Sequence, residues 1–105
     1  MGKRDNIKEL AVFITQALAH RIGRIIDENA LHAEKYRKET LNFMKLAEQV
    51  KMKENWNSSD LILLRETVKN NLERELARRT YIDNRKFDIM GEEIEKVLRE
   101  LELSD

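Results

Sequence analysis

The chain has 105 residues with neither cysteine nor proline, and its 20 basic residues balance 20 acidic residues. This length predicts a single domain over residues 1–105 with one core. The absence of cysteine excludes disulfides, thiolate metal sites and thiol nucleophiles. Zero net charge argues against a surface that binds nucleic acid everywhere, but it allows a local basic patch.

The composition predicts an all-α fold, because proline is absent and glycine occurs only at positions 2, 23 and 91. We expect a long-helix hairpin or a bundle of three or four helices, completed by dimerisation. The longest uninterrupted apolar run, Leu10 to Ile14, is far shorter than the ~20 residues that span a bilayer. A cytoplasmic protein with no membrane partner is therefore the expectation.

The first predicted helix is the most apolar part of the chain, with twelve apolar residues among the twenty at positions 7–26. At ~100° of rotation per residue, these side chains form a stripe wider than one neighbouring helix can cover. The helix should therefore be contacted on two sides, by its own chain, by a second copy or by both. We expect that one chain cannot cover this stretch alone, and we predict a homodimer or a small homo-oligomer. Arg21 lies inside the apolar arc and needs a carboxylate or carbonyl partner. The predicted oligomer interface consists of Ile7, Ala11, Ile14, Leu18, Arg21, Ile22 and Ile25.

The apolar pattern continues in phase beyond this stretch, and it allows two interpretations. One helix from about 5 to 53 would be ~70 Å long and would require a partner chain. A break near residues 27–29 would instead give an antiparallel hairpin, for which Asp27 and Asn29 supply turn and N-cap residues. The uninterrupted phase slightly favours the continuous helix. In either case Asn29, His32 and Tyr36 are predicted to form a polar seam that fixes register.

Two further helices are predicted in the second half of the chain, at about 59–80 and 84–102. The first of them carries a narrow apolar stripe of Leu61, Leu64, Val68, Leu72 and Leu76. The second carries apolar residues at heptad-like steps, but for too few turns to form an independent coiled coil. These residues are Phe87, Met90, Ile94, Val97, Leu98 and Leu101.

A basic group surrounds Tyr81 near the junction of these two helices. A tyrosine among arginines can stack on a nucleic-acid base while the guanidinium groups bind phosphates. Interleaved acidic residues reduce the field of this group, so a solvated helix face with paired charges is the other interpretation. The candidate nucleic-acid contacts are Arg74, Arg78, Arg79, Tyr81, Arg85 and Lys86.

The sequence supports binding better than catalysis. There are only two histidines and no glycine-rich phosphate loop, and the acidic residues are too many and too scattered to indicate a carboxylate pair. We expect no catalytic residue, no metal site and no cofactor. The favoured hypothesis is a small non-enzymatic interaction or scaffold protein that acts as a homo-oligomer on an unidentified protein partner. The alternative is a DNA- or RNA-binding accessory protein.

Overall fold

The helix near the amino end is the central element of the fold. The computed structural model describes residues 2–27 and 29–104. Over these residues it contains four helices and no strand: α1 (Lys3–Ile26), α2 (Ala30–Lys51), α3 (Ser58–Arg78) and α4 (Arg85–Glu100). The predicted all-α class is confirmed, in the form of a four-helix bundle.

The first half of the chain forms two helices, so the slightly favoured continuous helix from 5 to 53 is wrong. Asp27 has an extended backbone (φ −81°, ψ 109°), and the side chain of Asn29 caps α2 by accepting a 2.9 Å hydrogen bond from the amide of Leu31. Such a cap satisfies an otherwise unpaired amide. Folding back also lets α2 cover apolar surface of α1 within one chain. The longest dimension of the molecule is accordingly 40 Å.

Helix α2 runs antiparallel to α1. Near the turn, Gly23 faces the ring of Tyr36. Farther along, the ring of His20 stacks on Phe43, with centroids 5.6 Å apart. Among the four helices, α2 packs on α1 alone.

Helices α3 and α4 cover the other side of α1. Helix α3 runs parallel to α1, because Lys3 pairs with Asp60 at one end (2.9 Å) and Gln16 contacts Arg79 at the other (3.5 Å). Helix α4 packs on both α1 and α3. Asn57 and Asp60 form a capping box that starts α3.

The predicted oligomer interface needs correction, because most of it is the core of the single chain. Five of its seven residues are each at most 4% exposed. They already contact the chain's own helices, so these residues do not need a second copy to cover them. The large apolar side chains of Val12 and Ile25 in α1 remain about half exposed. Arg21 is only partly buried and Ile25 is 50% exposed. The five covered residues are Ile7, Ala11, Ile14, Leu18 and Ile22.

The apolar stripes predicted for the later helices are largely confirmed. In α3 the four residues from Leu64 to Leu76 in the stripe are fully buried, and Leu61 is partly buried. In α4 the stripe from Met90 onward is buried, whereas Phe87 is 42% exposed. None of the helices in the described part of the chain is both long enough and apolar enough to cross a bilayer.

Candidate functional site

The isolation of α2 from α3 and α4 leaves an open surface on each side of it. The first, which we call the α2–α4 groove, has a volume of about 640 Å³. The second, the turn pocket, lies beside the α1–α2 turn and has a volume of about 260 Å³. The groove is lined by Arg21, Arg24, Ile25, Arg37, Thr40, Leu41, Met44 and Glu100. The pocket is lined by His20, His32, Lys35, Tyr36, Arg79 and Tyr81.

The α2–α4 groove exposes large apolar side chains from two helices. Ile25 of α1 is 50% exposed and Leu41 of α2 is 49% exposed, and both line the same groove with the partly buried Met44. Single exposed apolar residues are common on protein surfaces, but a cluster in a concave site marks a binding surface. Ile25 is therefore the one residue of the predicted interface that remains available to another molecule through an apolar side chain.

Arginines border this apolar surface. Arg21 donates from Nε to Glu93 (2.7 Å) and from Nη1 to Glu100 (3.0 Å), which supplies the carboxylate partner predicted for it. Burial acts to lower the pKa of Arg21, but the hydrogen bonds to Glu100 and Glu93 outweigh it and raise that pKa above its ordinary value. Arg24 is exposed at the rim. Arg21 and Arg37 pair with glutamates, so among the described residues Arg24 is the groove arginine that pairs with no carboxylate and that favours an anionic group.

Arg37 is held in place along the same groove. Its guanidinium donates to both carboxylate oxygens of Glu34, at 2.6 and 3.2 Å. This bidentate hydrogen bond is the main cause that lowers the pKa of Glu34. Both side chains are about half exposed, so this pair lies at the solvent-facing edge of the groove.

The three residues of the predicted polar seam lie at and just after the turn between α1 and α2, where Asn29 caps α2 and the other two contact Asp27. His32 Nδ1 donates to Asp27 Oδ2 (2.9 Å), and the hydroxyl of Tyr36 donates to the same oxygen (3.3 Å). The hydrogen bond from His32 is the largest cause that lowers the pKa of Asp27, followed by the amide of Asn29. Glu28, the middle residue of the predicted break at 27–29, lies outside the described residues. The sequence indicates Asp27, which accepts both hydrogen bonds, only as a turn residue. Its contacts with His32 and Tyr36 exist only because the chain folds back between α1 and α2.

In both imidazoles of the turn pocket, Nδ1 faces an oxygen that can only accept, so the proton is assigned to Nδ1. His20 Nδ1 lies 2.7 Å from the carbonyl oxygen of Gln16, and a carbonyl can only accept. His32 Nδ1 faces the Asp27 carboxylate, which also accepts. The Nε2 atom of each ring is therefore the nitrogen that remains for another partner. Among the described residues, no group of three or more histidine, aspartate or glutamate side chains is placed to hold a metal.

The predicted nucleic-acid residues divide into two sets. Arg74, Arg78, Tyr81 and Arg85 are exposed, although Arg78 pairs with Glu75 and Arg85 with Asp83. The other two, Arg79 and Lys86, make contacts within the fold.

Arg79 and Lys86 are held by the fold. The Arg79 side chain is 14% exposed and pairs with Glu75 at 3.2 Å. Lys86 is 2% exposed, and its ammonium donates to the carbonyl of Arg79 (2.7 Å), just after the end of α3. This hydrogen bond and the ring of Phe87, whose centroid lies 5.3 Å from Nζ, both stabilise the buried ammonium. Lys86 is therefore removed from the set of exposed nucleic-acid contacts.

Comparison of the chain with family models, with curated proteins and with solved structures found no significant match. Function is therefore argued from the two surfaces beside α2.

Proposed function

We propose that this protein is a non-enzymatic interaction module that binds a short, acidic amphipathic helix of a partner protein in the α2–α4 groove. The observation that carries the proposal is the exposure of Ile25 and Leu41 in one groove between arginines. An amphipathic helix presents apolar residues at i, i+3, i+4 and i+7 to such a groove. Flanking glutamates would meet the arginines of the rim.

The two kinds of groove residue have different roles in this proposal. Burial of the apolar side chains provides most of the affinity, as in other protein interfaces. The arginines select an acidic partner and increase the association rate. Because Arg21 is already held by the buried Glu93 of α4, little of its side-chain entropy is lost when a partner contacts it.

The test uses a fluorescent, helix-forming peptide of about 16 residues, with leucines on one face and glutamates beside them. A matched peptide replaces every glutamate with lysine. Fluorescence anisotropy should show micromolar binding of the acidic peptide, and Leu41→Gln should weaken it by about tenfold or more. Arg24→Glu should weaken it further at low salt.

The control variant is Ile62→Gln, because Ile62 is 59% exposed on α3 and does not line the groove. It should bind the acidic peptide like the unaltered protein, and circular dichroism should show the same helix content in all variants. The proposal is wrong if both peptides bind equally, or if Leu41→Gln has no effect in a folded protein. It is also wrong if sedimentation shows self-association that Leu41→Gln abolishes, since a second copy then occupies the groove.

A second candidate is DNA or RNA binding, favoured by the exposure of Arg74 and Arg78, which line one cleft beside α1, and of Tyr81. Such binding should weaken steeply with added salt. The double variant Arg74→Glu, Arg78→Glu should abolish it, whereas Arg24→Glu should not. Binding that does not respond to salt, or that survives the double variant, contradicts this candidate.

A further inference from the structure

We propose that the turn pocket binds the phosphate monoester of a small molecule. The pocket is distinct from the α2–α4 groove, and the two share no lining residue. It combines groups from α1, α2 and the end of α3 with Tyr81 from the α3–α4 connection.

The chemistry of the lining favours an anion. Its six residues include a lysine, an arginine, two histidines and two tyrosines, but no carboxylate. The nearby carboxylates already accept hydrogen bonds: Asp27 from His32 and Tyr36, and Glu75 from Arg79. Lys35 is exposed at the mouth of the pocket. These carboxylates offset the charge of the lining residues that they bind, so Lys35 is the lining cation that pairs with no carboxylate among the described residues, and it supplies the main attraction for an anion.

The hydrogen bonds within the pocket leave donors for phosphate oxygens. Each imidazole uses Nδ1 for an internal bond, so Nε2 accepts in the neutral ring and donates to a phosphate oxygen only when the ring is protonated to the imidazolium. The hydroxyl of Tyr81 accepts from Arg79 Nη1 (3.3 Å) and keeps its own proton to donate. A phosphate dianion has three oxygens to accept these donors and the ammonium of Lys35.

The size and the aromatic groups of the pocket favour a small phosphorylated ligand. A volume of about 260 Å³ is near the lower limit of ligand pockets. Tyr81 is 69% exposed, so its ring offers a face on which the organic part of the ligand can stack. A nucleoside monophosphate has both the phosphate and a flat ring.

Histidine ring signals in NMR spectra provide a direct test, because both histidines of the chain line this pocket. We would titrate the protein with inorganic phosphate, with adenosine monophosphate and with chloride at equal ionic strength. Both phosphates should shift the two ring signals in a saturable manner, and chloride should not. Lys35→Gln should weaken binding by about tenfold. Lys38→Gln, an exposed lysine of α2 outside the pocket, should leave it unchanged.

A single-stranded oligonucleotide without terminal phosphate separates this site from nucleic-acid binding. The proposal predicts that the oligonucleotide shifts the histidine signals much less than adenosine monophosphate does. It is overturned if neither phosphate gives a saturable shift, if Lys35→Gln and Lys38→Gln act alike, or if only the oligonucleotide binds. Unchanged helix content in both variants excludes unfolding as the cause.

Discussion

Gly23 of α1 lies directly against the ring of Tyr36 of α2. A Cβ atom added to Gly23 would lie 3.0 Å from Cε1 of Tyr36 and 3.4 Å from Cδ1 of Ile82. The glycine thus permits a close approach of α2 beside the turn, where the Tyr36 hydroxyl reaches Asp27. Close packing at this point positions one wall of the turn pocket.

Gly23→Ala is expected to lower stability, because overpacking against Tyr36 costs about 1 to 3 kcal/mol and outweighs the usual helix gain of about 0.5 to 1 kcal/mol. Gly91→Ala is the matched control, since Gly91 lies within α4 and an added Cβ would meet nothing within 4 Å. It should stabilise the protein by about 0.5 to 1 kcal/mol, the usual gain in a helix. Urea unfolding measures both effects, and a gain of stability in both variants would contradict the described packing.

The burial of the α1 stripe predicts that substitutions at two residues of the predicted oligomer interface have very different effects on the free energy of unfolding. Leu18 is fully buried and Ile25 is 50% exposed. Leu18→Ala should lower the free energy of unfolding by about 2 to 5 kcal/mol, because it leaves a cavity. Ile25→Ala should change it by less than about 0.5 kcal/mol. Equal effects, measured by urea unfolding, would mean that the two side chains have similar surroundings.

A residue just after the end of α4 has a strained backbone, and a substitution can relieve this strain. Glu102 has φ 59°, and the amide of Leu103 donates to the carbonyl of Leu98 (2.8 Å), as in a Schellman motif. Glu102→Gly should raise stability by about 0.5 to 1 kcal/mol, because glycine adopts this conformation without steric cost.

The control for this change is Glu102→Ala, which removes the same exposed ion pair with Lys51 (3.9 Å) and keeps the strain. That exposed pair contributes little to the free energy of unfolding, so the alanine variant should not gain stability. If thermal unfolding shows equal gains for both variants, the left-handed conformation is not the cause.

Asp27 predicts a pH-dependent contribution to stability. The hydrogen bond from His32 holds the pKa of Asp27 below its ordinary value, so the unfolded chain binds this proton more readily. The contribution is therefore present above about pH 4, the unfolded pKa, and is lost as the pH falls through the lowered pKa. Asp27→Asn should be less stable than the unaltered protein at pH 6, and the difference should shrink towards pH 2. A difference that does not change with pH would contradict this role.

The sequence predicts the helix class and the buried faces, because apolar spacing depends only on helical geometry. Leu64, Val68 and Leu72 illustrate this success. The break at 27–29 was harder to predict, since Tyr36 and Val50 are buried in phase with α1 and either interpretation places them on one face. The extended backbone of Asp27 and the N-cap formed by Asn29 distinguish the two.

The candidate sites depend on tertiary arrangement and were therefore only partly predicted. The α2–α4 groove exists because α2 packs on α1 alone, and no local pattern encodes that isolation. A lysine is usually exposed, so the burial of Lys86 could not be inferred from its neighbours. His32 and Tyr36 were correctly grouped, but their common partner and the residues across the pocket, Arg79 and Tyr81, come from distant parts of the chain.

The central claim is that one chain covers α1 with its own helices. The most direct measurement is the urea midpoint of unfolding at protein concentrations from about 1 to 100 μM, because assembly-coupled folding makes stability depend on concentration. The account predicts the same midpoint throughout this range, with Leu18→Ala lowering it equally at every concentration. A midpoint that rises steadily with concentration would contradict the account, since α1 would then need a second copy to be covered.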